Sequence, residues 1–145
     1  MKKNIVITLA AIAALFLLSV SCKKDGTPAK PQVTLTEVGH DNSRTAMRGD
    51  DLHLEADILA EGLIQRIDVV LHQEEGGLDL VQAYTDGKYI GVKNTEYHEH
   101  IDIPADAPLG TYHLHFTVTD RQGQTTTAET HIEIEEFDED HHHDE

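Results

Sequence analysis

The sequence predicts an all-β protein, an antiparallel β-sandwich of about seven or eight strands, and three observations carry that prediction. Apolar and polar residues alternate in short segments. The segments are bounded by glycine, proline, asparagine and aspartate at turn positions. No segment of useful length repeats its apolar residues at a helical period.

The first strand runs over Gln32 to Val38. The second, Asp51 to Leu59, places Leu52, Leu54, Ala56 and Ile58 on one face and His53, Glu55 and Asp57 on the other, because successive side chains of a strand point to opposite sides. The third, Leu63 to His72, buries Leu63, Ile67, Val69 and Leu71 and exposes Arg66, Asp68 and His72, and Gly76-Gly77 closes it. Leu80 to Tyr84 and Tyr89 to Val92 flank Asp86-Gly87, a dipeptide suited to positive φ, which predicts a hairpin of two short edge strands. Tyr97, Ile101 and Ile103 then share a face opposite His98, His100 and Asp102, until Pro104 stops the strand. Tyr112, Leu114, Phe116 and Val118 alternate with His113, His115, Thr117 and Thr119 up to the turn Asp120-Arg121-Gln122-Gly123. The last strand, Thr127 to Glu135, buries Ala128, Thr130, Ile132 and Ile134 and exposes Glu129, His131, Glu133 and Glu135. Arg48-Gly49-Asp50 reads as a turn leading into the second strand rather than as an integrin-binding tripeptide.

Ahead of this domain, Lys2 and Lys3 precede an uncharged apolar run from Ile5 to Leu18 that ends in Ser19-Val20-Ser21. The run is shorter than the roughly 20 apolar residues of a membrane-spanning helix, and its charge and small-residue flanks are those of a cleaved signal peptide over residues 1–21. Cys22, the sole cysteine, follows directly. The junction resembles a lipobox, with Leu18 one place further upstream than the usual pattern, and implies that Cys22 is lipidated. Residues 22–31 contain two prolines and no apolar period and read as a flexible tether, so the domain occupies residues 32–136. The tail, 137–145, mixes acid with His141, His142 and His143 and reads as disordered, a loose collector of cations or a solubilising end. These segments together place the protein in the cell envelope, anchored to the periplasmic face or outer surface of an outer membrane.

The 27 acidic residues outnumber the 11 lysines and arginines, for a formal net charge of −16. Such a field repels phosphate backbones and favours cations, so nucleic acid is excluded as a partner. The unusual count is 11 histidines in a chain with no tryptophan.

Strands of this number in about 105 residues have the size of an immunoglobulin-like domain. Ile103-Pro104-Ala105-Asp106-Ala107-Pro108-Leu109-Gly110-Thr111-Tyr112 resembles the corner between the fifth and sixth strands of bacterial Ig-like modules, with Tyr112 as a tyrosine corner. The whole stretch from Pro31 to Glu136 resembles an uncharacterised family of small Bacteroidetes-type lipoproteins with an Ig-like domain of unknown function. Glu37-Val38-Gly39-His40-Asp41-Asn42, His53-Leu54-Glu55-Ala56-Asp57-Ile58, Tyr97 to Asp102 and Tyr112 to Asp120 carry that likeness. It implies a location and a fold, and no activity.

His98/His100 and His113/His115 are His-x-His pairs in strands, where residues two apart share a face. In an Ig-like sandwich the second strand neighbours the fifth, and the third, sixth and seventh lie together in the other sheet. One outer face therefore gathers His53, His98 and His100 with Glu55, Asp57 and Asp102. The other gathers His72, His113, His115 and His131 with Glu129 and Glu133. His40, on a loop, is free to join either set or neither. A single outward histidine is ordinarily a solvated polar residue, but seven on predicted outer faces have the makings of a tetrahedral zinc site, or of a tetragonal copper(II) or nickel site.

The reading that follows is a membrane-anchored lipoprotein that captures, buffers or hands over a divalent transition metal, zinc first, with an envelope transporter or receptor as partner. The alternative is a metal-free Ig-like module that binds another envelope protein or a glycan, with acid sensing by the histidines as a variant. No serine or cysteine nucleophile with a base stands out, so an enzyme is not expected.

Overall fold

The computed structural model describes residues 26–136. Eight strands are present among them: β1 (Gln32–Val38), β2 (Thr45–Met47), β3 (Asp51–Leu59), β4 (Ile64–Gln73), β5 (Asp79–Tyr84), β6 (Asn94–Asp102), β7 (Gly110–Asp120) and β8 (Thr125–Glu135). A short 3₁₀ turn, His40–Asn42, joins β1 to β2. The strands form two sheets, one ordered β1-β3-β6 and the other β2-β8-β7-β4-β5. All pairings are antiparallel except that of β2 with β8. This is the sandwich expected from the sequence, with β3 beside β6 and with β4, β7 and β8 together in the opposite layer. No helix among the described residues is long and apolar enough to cross a membrane. The signal-peptide run, Cys22 and the tail from 137 onward, including His141, His142 and His143, lie outside the described residues.

Period-2 alternation builds the core. Leu52, Leu54, Ala56 and Ile58 of β3 face Ile67, Val69 and Leu71 of β4 and Leu114, Phe116 and Val118 of β7 across one continuous buried cluster. Phe116 meets Tyr97 edge-on at 4.9 Å between ring centroids. Tyr112 is fully buried and its hydroxyl donates to the Pro108 carbonyl at 2.9 Å, which is the tyrosine corner the sequence implied. Asp120 is also fully buried, and its carboxylate accepts from the Gln122 and Gln124 backbone amides at 2.9 and 2.8 Å, closing the β7–β8 turn. Arg48-Gly49-Asp50 lies in a turn, with the Asp50 amide donating to the Met47 carbonyl.

Three local features differ from the expectation. Leu63 is not the first buried residue of its strand: it turns at φ 67°, and Ile64 takes the core position. β2, too short to show a period, was invisible to alternation. The hairpin around Asp86-Gly87 does not form. Gly87 does turn with φ 83°, but Tyr89 to Val92 leaves the β5 edge. Instead the Ile64 amide donates to Val92 and the Gly91 amide to Ile64.

The cause is Tyr89, whose ring is worth more between the sheets than on an edge. It is 3% exposed and packs on Tyr97 and Tyr84. Its hydroxyl accepts from the His98 amide at 3.1 Å and lies 2.9 Å from the His98 carbonyl and 2.6 Å from Glu99 Oε1. Tyr89 thus occupies the place that another strand would take beside β6. Burial pushes the Glu99 pKa up, but hydrogen bonds from Lys88 and Tyr89 outweigh it and hold the carboxyl below its usual range.

Two substitutions rank these contributions. Leu114→Ala removes fully buried apolar volume and is expected to cost about 2–5 kcal/mol. Tyr112→Phe removes one hydrogen bond and is expected to cost about 1 kcal/mol. Urea denaturation checks both, and a Tyr112→Phe loss as large as that of Leu114→Ala would contradict this ranking.

Candidate metal centre

β3 is the middle strand of its sheet, so its outward residues have neighbours on both sides. The β3–β6 register sets His53 opposite His100 and Glu55 opposite His98. Three imidazoles and a glutamate therefore stand at the corners of one rectangle on the outer face. His53 is central: its ring centroid lies 4.9 Å from that of His98 and 4.9 Å from that of His100. One nitrogen from each of the three imidazoles lies within 4.8 Å of the others. His53 is the sheltered member, with 13% of its side chain exposed, against 57% for His98 and 51% for His100.

Each imidazole keeps one nitrogen on a carboxylate. His100 Nδ1 lies 2.7 Å from Asp51 Oδ1, and His98 Nδ1 lies 3.1 Å from Glu55 Oε1. His53 Nε2 lies 3.3 Å from Glu55 Oε1 and 3.8 Å from Glu37 Oε2. Of the three nitrogens that remain, His53 Nδ1 and His100 Nε2 face each other at 3.4 Å. Tetrahedral zinc holds nitrogen ligands at about 2.0–2.1 Å, which puts two of them about 3.3–3.4 Å apart. That pair is thus already at ligand spacing, and the exposed His98 is the third imidazole of the cluster. A carboxylate on the far nitrogen is the arrangement that fixes tautomer and ring direction in metal-bound histidine.

Two further carboxylates reach the centre, one of them by a route that simple alternation misses. Glu37 would share the inward face of Val33 and Leu35, but a bulge between Leu35 and Glu37 resets the register to Glu37 opposite Glu55. It turns Glu37 outward and sends Val38, 3% exposed, into the core. The signal was present in the three-residue step from Leu35 to Val38. Asp51 was also missed, although it shares the parity of His53 and Glu55.

His40 arrives on the 3₁₀ turn and stacks on His53, with centroids 5.9 Å apart and planes 17° from parallel. The turn is unusual, because Asp41, Asn42 and Arg44 all have positive φ. Gly39 starts it at φ 73°, and a Cβ there would meet Ser43 Oγ at 2.6 Å and the Thr45 carbonyl at 2.9 Å. A cleft of about 540 Å³ lies beside the centre, lined in part by His40, Met47, Asp51, His53, His100 and Glu135.

Of the other predicted residues, Asp57 and Asp102 share the outer face but join none of the centre's ion pairs among the described residues; Asp57 lines one groove with Gln32 and Asn94 and another with Glu55 and His98. His72, His113, His115 and His131 lie on the opposite outer face, where no three donors come within 4.8 Å among the described residues. There His72 bonds Asp79 and His115 bonds Glu129, while Glu133 accepts from the Thr111 hydroxyl. Three donors thus converge in the first set alone among the described residues: in the second, His72 and His115 turn to separate carboxylates while His113 packs on His131.

Asp51 raises the His100 pKa above the ordinary 6.5 through its hydrogen bond, and partial desolvation opposes this less strongly. A raised folded-state pKa means that the Asp51–His100 pair stabilises the metal-free protein below about pH 6.5, and that this contribution is lost as pH rises through the folded pKa. Titration of His100 followed by NMR in metal-free protein should give a value above 6.5, with Asp51→Asn returning it toward 6.5. An equal pKa in the two proteins would contradict the assigned pair.

The fold resembles parts of larger solved proteins. A catalytically inactive OgpA from Akkermansia muciniphila, crystallised with an O-glycopeptide substrate, superposes with a TM-score of 0.53 at 11% identity over 79% of this chain and 32% of its own. A family 123 glycoside hydrolase from Clostridium perfringens gives a TM-score of 0.44 at 12% identity over 77% of this chain and 28% of its own. The chain thus spans about a third of the structures it matches, and the likeness to the first concerns the fold alone. No curated protein matches the sequence. The family model described as Domain of unknown function (DUF4625) matches residues 20–135, and the chain belongs to that family.

Proposed function

We propose that this protein is a cell-envelope lipoprotein that holds a divalent transition metal, zinc first, through His53, His98 and His100, and captures, buffers or hands it over. The observation that carries the reading is the 3.4 Å approach of His53 Nδ1 and His100 Nε2, each on an imidazole whose other nitrogen faces a carboxylate. Scattered imidazoles would favour a metal-free interaction module. Convergence of three of them on a strongly anionic chain favours the ion. The donors are imidazole and carboxylate with no thiolate, a set that suits zinc, copper(II) or nickel and disfavours copper(I), and the tetrahedral spacing of the His53–His100 pair puts zinc first. The cleft beside the centre gives an arriving ion, or a partner that removes it, a route to the exposed rings.

Calorimetric titration of the chain from Lys23 with zinc is expected to give a dissociation constant well below about 1 mM, weakened at least tenfold by His53→Ala. Absence of binding in that range would sink the reading and leave the interaction module in its place.

The anchor is tested separately. Cys22→Ala is expected to abolish lipid labelling and release the protein from the membrane fraction. Retention of the variant at the membrane would overturn the anchor and leave the metal centre untouched.

A further inference from the structure

The outer face of the five-stranded sheet carries a second arrangement that the proposed function does not use. His113 and His115 flank buried Leu114 on β7, and the register sets His131 opposite His113 and Glu129 opposite His115. The first centre follows the same plan, with His98 and His100 on one strand, His53 opposite one and Glu55 opposite the other. Each is a rectangle of three imidazoles and one glutamate on two neighbouring antiparallel strands.

Sheet geometry sets the sides of both rectangles at about 6.5–7 Å along a strand and about 4.5–5.5 Å across. The sides of the two rectangles agree, His113 lying 4.4 Å from His131 and 6.4 Å from His115, against 4.9 Å for His53–His100 and 5.9 Å for His98–His100, while the diagonal His53–His98 contact at 4.9 Å belongs to the first alone among the described residues. His115 Nδ1 lies 3.1 Å from Glu129 Oε1, which repeats the His98–Glu55 contact and leaves Nε2 available. On the other side of His113, β4 places His72 directly opposite, its Nδ1 bonded to Asp79. The charge of this face suits a cation. Arg66 is tied to Asp68, while Asp79, Glu129 and Glu133 add negative charge.

We propose that His113, His115 and His131 form a second site for a divalent transition metal, on the face opposite the first, with Glu129 orienting His115 and His72 standing by as a further donor. The two sites differ in how far they are built before the ion arrives. The first is organised around a sheltered His53 with a pair of nitrogens already at ligand spacing. In the second, His131 and Glu129 are exposed and the rings must be ordered on binding, which makes it weaker by about tenfold or more. Because the sandwich core separates them, the two sites fill independently.

Zinc titration of the chain from Lys23, which retains all eight strands, tests this when His141→Asn, His142→Asn and His143→Asn remove the tail histidines. Calorimetry with equilibrium dialysis is expected to show two zinc ions per chain, one tight and one weak. His53→Ala with His98→Ala should remove only the tight ion. His113→Ala with His131→Ala should remove only the weak one, and His115→Gln with Glu129→Gln supplies the same test if that variant fails to fold. A single ion lost with the first pair of substitutions, or a second ion that survives both sets on β7 and β8, would overturn the second site. A weak ion that responds to the β7–β8 variants, in a protein indifferent to His53→Ala and His98→Ala, would uphold the second site and remove the first.

Discussion

Nine residue pairs tie β3 to β6, from Asp51 opposite Asp102 to Leu59 opposite Asn94, and the rest of the structure depends on that register. Leu52, Leu54 and Ile58 are buried on one side of the ladder while His53 and Glu55 face outward on the other. A slip by one residue would exchange the two sets. Exposing the three aliphatic side chains would cost about 1.5–3 kcal/mol each, before counting the polar groups forced inward. The core therefore enforces a geometry on the outer face that the exposed side chains could not hold by themselves. With a single cysteine in the chain, no internal disulfide shares this task.

Around that frame several departures from regular structure lie on the histidine side, apart from Leu63 at φ 67° and the register shift between Ile64 and Arg66 on β4. The bulge before Glu37 turns a carboxylate toward His53. Three consecutive-region residues with positive φ and no glycine freedom, Asp41, Asn42 and Arg44, carry His40 onto the His53 ring. Asn42 accepts a hydrogen bond from the Val38 amide, and the Gly39 amide reaches the His53 carbonyl, so the strained turn is fastened to both strands. Tyr89 fastens β6 on its far side at the backbone of His98. Strain of this kind persists where surrounding contacts over-determine it, and here those contacts converge on the imidazoles.

Much of this was legible in the residues alone, for a physical reason. A strand buried on one face writes its orientation into a period of two, so the outward placement of His53, His98 and His100 followed from Leu52, Leu54, Tyr97 and Ile101. Knowledge of Ig-like neighbours then joined β3 to β6. What alternation could not carry was any break in the period. Glu37 needed the bulge, β2 was too short to show a pattern, and Tyr89 looked like an edge residue until the core claimed it. Convergence was equally out of reach, because it depends on ring directions: the same residue types on β4, β7 and β8 are spread across two carboxylate contacts and a His113–His131 pair.

The central claim is that the β3–β6 register makes a metal centre of His53, His98 and His100. Anomalous diffraction at the zinc edge from a crystal of the zinc-loaded protein tests it most directly. The account predicts an ion about 2.0–2.1 Å from His53 Nδ1 and His100 Nε2, with His98 as third ligand. Zinc-loaded crystals with no anomalous peak at these three imidazoles would contradict it.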